Sequence, residues 1–297
     1  MNTAVEPKTL TAPTPVAIPW TSQFDLASKI SGRTYRISIF APPVPPPEAG
    51  YPVLVALDAA MTFPIAAAMA GTYAFSAAPA IVVGVGYAAP LLEMGVLRFR
   101  DFTPPTPIEN VPVRPGMPAL TAEQIGGSDL FRRFLIEELR PAIAAAHEVD
   151  PAREALFGYS LGGLFVLDAL FKAPNAWRSY IAASPSIWWN ECAVLEDEGG
   201  FRCAVKNGRA EPRVLITVGA REQTLPHRLP PGMTSDQVET LMDEARMVDN
   251  AWELGERLGK IAGPPGFEAV FHAFDEEDHL TALAASVGRA LDFATRT

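Results

Sequence analysis

From residue 80 onward the chain repeats one arrangement: a short apolar run, a helical stretch, then another apolar run. The runs are AIVVGVGY (80–87), EALFGY (154–159), SYIAASP (179–185), RVLITVGA (213–220) and FEAVFHAF (267–274), and most are nearly apolar throughout rather than alternating. A strand with no polar side has to be covered on both faces, and helices between successive strands supply that cover. Two earlier runs, TYRISIFAP (34–42) and YPVLVALDA (51–59), lie close together like a hairpin pair. The order predicts an α/β fold: a mostly parallel central sheet with antiparallel N-terminal strands and helices on both faces.

Helices are expected over 63–75, over 128–148 with Ser128 as its cap, over 235–261, and over 280–294. The third is stopped by Gly263-Pro264-Pro265. No repeat and no break in the alternation is visible, so one domain is expected over 1–297, with 1–20 as an extended tail. Proline is over-used, 29 residues of 297, against a usual share of about 5%. It clusters in 41–50, 103–118 and 224–233, too short for interdomain linkers, and reads as stiffened loops on one scaffold.

A net charge of −10 leaves no general basic footprint for nucleic acid or an anionic membrane. No apolar run reaches the eighteen or so residues of a membrane span, and the first twenty residues lack the pattern of a secretion signal. The expected location is cytoplasmic. Cys192 and Cys203 are too few for a disulfide framework; they read as unpaired residues, with a single bridge between them as the alternative.

One junction in the alternation carries chemistry. Gly158-Tyr159-Ser160-Leu161-Gly162 fits G-x-S-x-G, the nucleophile elbow, with apolar ALF before it and LFVLDALF after it. The strand-to-helix bend would aim the Ser160 hydroxyl outward. A serine nucleophile needs a histidine base and an acid to hold the ring, in the chain order Ser, acid, His. His279 follows the last apolar run, in DEEDHL, and Glu222 follows the run before it, in AREQ. The carboxylates of 275–278 crowd His279 in sequence and remain alternative acids. His147 at a helix end, His227 in a proline-rich loop and His272 within a strand read as structural or surface residues. With no HxH or HExxH pairing, no metal site is expected. The oxyanion donors expected are the backbone N–H of Leu161 and that of Ala59 or Ala60.

Several segments together resemble a known family. YPVLVALDAAMTFP, IVVGVGY, RFRDFTPP, GGSDLFRRFLIEELRPAI, ALFGYSLGGLFVLDAL and YIAASPSIWWN look like the putative-esterase branch of the α/β-hydrolases, from about residue 20 onward. More narrowly they resemble siderophore esterases, which hydrolyse catecholate trilactones such as enterobactin and bacillibactin. RFRDFTPP and SPSIWWN are the most specific parts. The resemblance implies Ser160 as nucleophile, His279 as base and Glu222 as acid, with no metal catalysis and no cofactor; any iron belongs to the substrate. Relatives often read Asp-Gly-Asn beside the oxyanion, where this chain has Asp58-Ala59-Ala60.

For substrate contact, the long loop expected after 80–87 offers Arg98, Arg100 and Phe102, and Trp188 and Trp189 follow the strand after the elbow. The leading reading is a serine carboxylesterase for a small-molecule ester. The competing readings are an acyltransferase, an esterase for other aromatic or small acyl esters, and a binding protein of the same fold.

Overall fold

The computed structural model describes residues 15–75, 79–112, 117–226 and 228–296. Most of the expected 1–20 tail, and His227, lie outside them. One eight-stranded sheet has the order β1-β2-β4-β3-β5-β6-β7-β8. Its strands are β1 (Thr21–Ala27), β2 (Thr34–Phe40), β3 (Tyr51–Leu57), β4 (Ile81–Tyr87), β5 (Val149–Tyr159), β6 (Ser179–Ala183), β7 (Arg213–Gly219) and β8 (Glu268–Phe274). β1 pairs antiparallel with β2 and β2 antiparallel with β4; every other pair is parallel.

The hairpin differs from the expectation. β2 does not pair with β3; its hairpin partner is β1, and β4 separates β2 from β3. β1 has no apolar face, because it is an edge strand whose residues are mostly exposed, so hydrophobic patterning does not reveal it.

Two cores sandwich the sheet. On one face α1 (Ala59–Ala74) and α9 (Ala282–Thr295) contribute Phe63, Ala66, Ala70, Val287 and Leu291. On the other, α2 (Leu91–Phe102), α3 (Ser128–Phe134), α5 (Leu161–Lys172) and α8 (Met247–Gly259) pack around Phe102, Phe131, Phe165 and Leu254. Tyr35 stacks on Phe134 at a centroid distance of 4.1 Å, tying the antiparallel edge to α3.

Three helices depart from the expected outlines. Residues 91–102 form α2 rather than a loop. Gly95 in its middle lowers helix propensity by about 1 kcal/mol relative to alanine, which hides it from a propensity reading. The 128–148 segment opens at Ser128 with Gly127 at its cap, and passes through a π turn (Leu135–Leu139) into α4 (Arg140–Ala146). The Ser128 hydroxyl does not cap; it donates to the buried carboxylate of Asp168 (2.9 Å), which also pairs with Lys172 (2.8 Å). The long 235–261 helix divides into α7 (Ser235–Ala245) and α8 at Arg246, which has φ +42°. The Ala245 carbonyl at the break accepts from the Asn250 side chain (3.1 Å), a side-chain substitute for the helical bond that hydrophobic periodicity cannot reveal.

Candidate active site

β3 and β5 are neighbours, and their register pairs Ala56 with Phe157. Running both strands off their carboxyl ends brings residues 58–60 alongside 159–161, one strand spacing of about 5 Å apart. The chain leaves β3 towards β4 on one side, while β5 begins the run to β8 on the other. A topological switch of this kind opens a crevice where open α/β sheets place their ligands.

Ser160 turns the corner from β5 into α5 with φ +58° and ψ −116°. Such a conformation costs a non-glycine residue on the order of 1–3 kcal/mol, and it is held by the packing around it. The corner is tight enough that a Cβ on Gly158 would come within 2.2 Å of the Gly162 carbonyl oxygen. One on Gly163 would come within 2.8 Å of the Ala183 carbonyl oxygen. The Ser160 N–H donates to that same Ala183 oxygen (2.9 Å) and its carbonyl accepts from Leu164 and Ser186 (3.1 Å each).

The hydroxyl so presented lies 3.2 Å from His279 Nε2, and His279 Nδ1 lies 2.6 Å from Glu222 Oε2. Glu222 is only 5% exposed, whereas 42% of the His279 side chain is open to solvent. Two carboxylates of the acidic run beside the histidine are engaged elsewhere. Asp278 accepts from the backbone N–H groups of Leu280 and Thr281, which with the Thr281 hydroxyl hold its carboxyl below the usual range. Glu276 pairs with Arg221. Tyr159, inside the elbow motif, donates its hydroxyl to the His279 carbonyl (2.6 Å). Burial first, and the Glu222 charge second, raise its pKa, so it stays a protonated donor.

Leu161 is the first residue of α5, and Ala59 and Ala60 open α1. N–H groups in a first helical turn have no intrahelical partner, and this applies to all three. Asp58 precedes them in a left-handed conformation, φ +55°. Its carboxylate does not cap the helix; it takes a bidentate pair from Arg98, at 3.0 Å from Nε and 2.8 Å from Nη2. Burial works against the charge on Arg98, but the Asp58 carboxylate outweighs it and holds the guanidinium above its ordinary range.

The residues expected to touch substrate separate here. Arg98, Asp101 and Phe102 lie three and four positions apart on α2 and turn inward together. Phe102 is 1% exposed, packed on Phe131 and Phe165, and Trp189, also 1% exposed, donates its indole N–H to Thr106 (2.9 Å). Both are packing residues, which corrects the expectation of substrate contact. Arg100 bonds the Glu123 carbonyl, bracing the loop. Half-buried Trp188 donates to Met247 Sδ (3.2 Å). Of the five, Arg98 borders a cavity of about 170 Å³ with Ala59, Ala60, Met61, Tyr87 and Met94. It adjoins a groove of about 450 Å³ that shares Ala59, Ala60, Tyr87 and Met94 and runs past Phe63 to Gln23, Arg36 and Ser38 on β1 and β2. Arg36 is paired with Asp25 (2.9 Å), so the outer end of the groove is polar without net charge.

Ser184, Asp58 and Tyr159 lie at the site without having been given a role by sequence reasoning. Asp58 and Ser184 each directly follow a strand carboxyl end, and Tyr159 is the second residue of the elbow motif. Those positions are the signals that would have found them. Among the described residues no group of three or more His, Cys, Asp or Glu side chains converges as a metal site would. None of the described helices is long and apolar enough to cross a membrane.

A family model described as "Putative esterase" matches residues 109–253. The ferri-bacillibactin esterase BesA of Bacillus subtilis is 37% identical over 284 residues, covering 93% of this chain and 90% of that protein. The chain belongs to the esterase family. The siderophore triacetylfusarinine C esterase of Aspergillus fumigatus is 31% identical and covers 94% of each chain. The BES protein of Bacillus cereus, a solved crystal structure, superposes with a TM-score of 0.81 at 32% identity over 97% of this chain and 100% of that one. Membership makes the protein an esterase, and its sheet and covering helices have the α/β-hydrolase fold.

Proposed function

We propose that the protein hydrolyses the ester bonds of a siderophore through an acyl-enzyme on Ser160. The observation that carries this is the continuous hydrogen-bonded chain Ser160–His279–Glu222 at the carboxyl ends of β5, β8 and β7. His279 Nε2 takes the Ser160 proton as Oγ attacks the ester carbonyl carbon, and the N–H groups of Leu161 and of Ala59 or Ala60 receive the oxyanion. Glu222 orients the ring and stabilises the imidazolium. Collapse breaks the bond to the alcohol oxygen, which leaves with the proton from His279. Water, deprotonated by the same imidazole, then releases the acid and restores Ser160.

The leaving oxygen must lie within reach of His279, on the β5–β8 side. The acyl portion therefore extends the other way, past Ala59 and Ala60 into the groove towards β2 and β1. The solvent exposure of His279 favours water over a second alcohol as acceptor, hence hydrolysis over acyl transfer. The siderophore as substrate rests on similarity to relatives named for bacillibactin and triacetylfusarinine C. Charge sharpens the iron question: the protein carries −10, and Arg98, nearest the site, is neutralised by Asp58. An intact ferric tris-catecholate is strongly anionic and gains nothing from long-range attraction here.

The test is a mass-resolved time course on iron-free and ferric catecholate trilactones and a simple aryl ester, with Ser160→Ala beside each. Stepwise release of linear trimer, dimer and monomer, lost in the variant, is the expected result, with the iron-free form cleaved faster. An untouched trilactone with serine-dependent aryl-ester cleavage would keep the mechanism and discard the substrate.

A further inference from the structure

Glu222 has two carboxylate oxygens, and only one of them meets His279. Oε2 faces the imidazole at 2.6 Å. Oε1 accepts from the Gly219 N–H (2.8 Å) and from the hydroxyl of Ser184. Ser184 follows β6, is fully buried, and donates its own N–H to the Thr217 carbonyl (2.7 Å), which fixes it between β6 and β7. Its backbone has φ +42°, the left-handed region, and it precedes Pro185, which narrows its conformational choice further. Glycine would adopt that φ at no steric cost. A strained, buried serine in a place that suits glycine points to its hydroxyl as the reason for the side chain.

We propose that Ser184 is a positioning residue for the proton relay, its hydroxyl holding Glu222 in the one orientation that offers Oε2 to His279. The inference rests on the esterase reading of the site. A buried glutamate carries three side-chain torsions. With Oε1 held by two donors from different strand ends, the carboxylate has no freedom to rotate away from the ring. The other titratable and charged groups around the relay are Tyr159 from β5, Glu277 and Asp278 from the loop after β8, and the Arg221–Glu276 pair outside it. Only Ser184 and the Gly219 N–H are bonded to Oε1 among the described contacts.

The experiment uses Ser184→Gly and Ser184→Ala in the full chain, with melting temperature, kcat, KM and the pH profile of kcat/KM on an aryl ester. Ser184→Gly removes the hydroxyl but relieves the backbone, which offsets part of the lost hydrogen bond, so it should still fold and melt only slightly below the parent protein. Its kcat should fall about tenfold to a hundredfold, the scale of one hydrogen bond to a charged group, with KM little changed. The acid limb of the profile should move to lower pH, because a carboxylate free to turn from the ring stabilises the imidazolium less. A residue that served stability alone would not move that limb. Unchanged kcat and an unmoved limb in Ser184→Gly, alongside an inactive Ser160→Ala, would overturn the proposal and leave the esterase reading intact. An active Ser160→Ala would overturn both.

Discussion

The two sides of the crevice are built differently. On the β5–β8 side, Ser160, Glu222 and His279 each follow the end of a parallel strand, and hydrogen bonds between those ends set their spacing. On the other side, the Asp58 turn and the α2 rim are joined by an ion pair between side chains forty residues apart. Strand order accounts for most of the first arrangement: β7 and β8 are adjacent, and the loop after β8 carries His279 back to Ser160 at the end of β5. The second depends on which face of a helix turns inward, which topology does not dictate. In the first, the residues to be aligned are read directly from strand order. In the second, the role of a residue can be inverted: Arg98, expected to bind substrate, is engaged with the protein itself.

The strongest way to break that contrast is at the Arg98–Asp58 pair. Arg98→Ala would leave the Asp58 carboxylate, its side chain 6% exposed, without its partner. Breaking a buried pair by removing one member costs roughly 3–5 kcal/mol; the partial exposure of Arg98 places the expected loss near the lower end. Releasing the turn before α1 loosens one oxyanion donor, so kcat should fall on the order of a hundredfold. The informative point is which substrates feel it. A positioning role predicts the same kcat loss for a small acetyl ester and a trilactone. A rise in KM confined to the anionic trilactone would instead return Arg98 to substrate binding.

A smaller and more selective effect is expected in the groove. Ser38, half-buried on β2, faces it. Ser38→Phe suits a strand and fills the outer groove with a ring. If the acyl portion lies there, KM for the large ester should rise about tenfold, the scale of a lost or blocked contact in a pocket, while a small acetyl ester is turned over as before. Equal turnover of both esters would move the acyl portion out of the groove, and equal loss of both would mean that the strand had been disturbed.

What the sequence made legible follows the same division. The inner parallel strands announced themselves because burial on both faces leaves few polar residues to interrupt them, and Ser160, Glu222 and His279 were expected in that order from strand order. Glu222 could be favoured over 275–278 from position, but its separation from that run depends on Asp278 and Glu276 finding other partners. α2 stayed hidden because Gly95 weakens its local signal, and its inward residues Arg98, Asp101 and Phe102 make sense only against distant partners. β1 stayed hidden because an edge strand needs no apolar face. Trp189 read as a rim aromatic because nothing local tells a buried tryptophan with a satisfied N–H from an exposed one.

The α2 rim also yields the prediction with the least effect on rate. Asp101, 2% exposed beneath α2, accepts from the Tyr87 hydroxyl (3.0 Å) and lies 4.0 Å from Arg33. Burial outweighs these partners and raises its pKa from 3.8 to about 6. Between those values the folded chain holds more protons than the unfolded one, so this group's contribution to stability falls as pH rises through that window. Above it the full cost of a buried charge, roughly 2–3 kcal/mol, is in place. Asp101→Asn keeps an acceptor for Tyr87 and removes the titration. The difference in melting temperature between the variant and the parent should therefore shift in the variant's favour as pH rises from about 4 to 7, with kcat little changed at neutral pH. A pH-independent difference would mean that Arg33 and the tyrosines compensate the carboxylate fully. The rim would then resemble the relay in holding a buried carboxylate by hydrogen-bond donors, and the contrast between the two sides would narrow to the Asp58 turn.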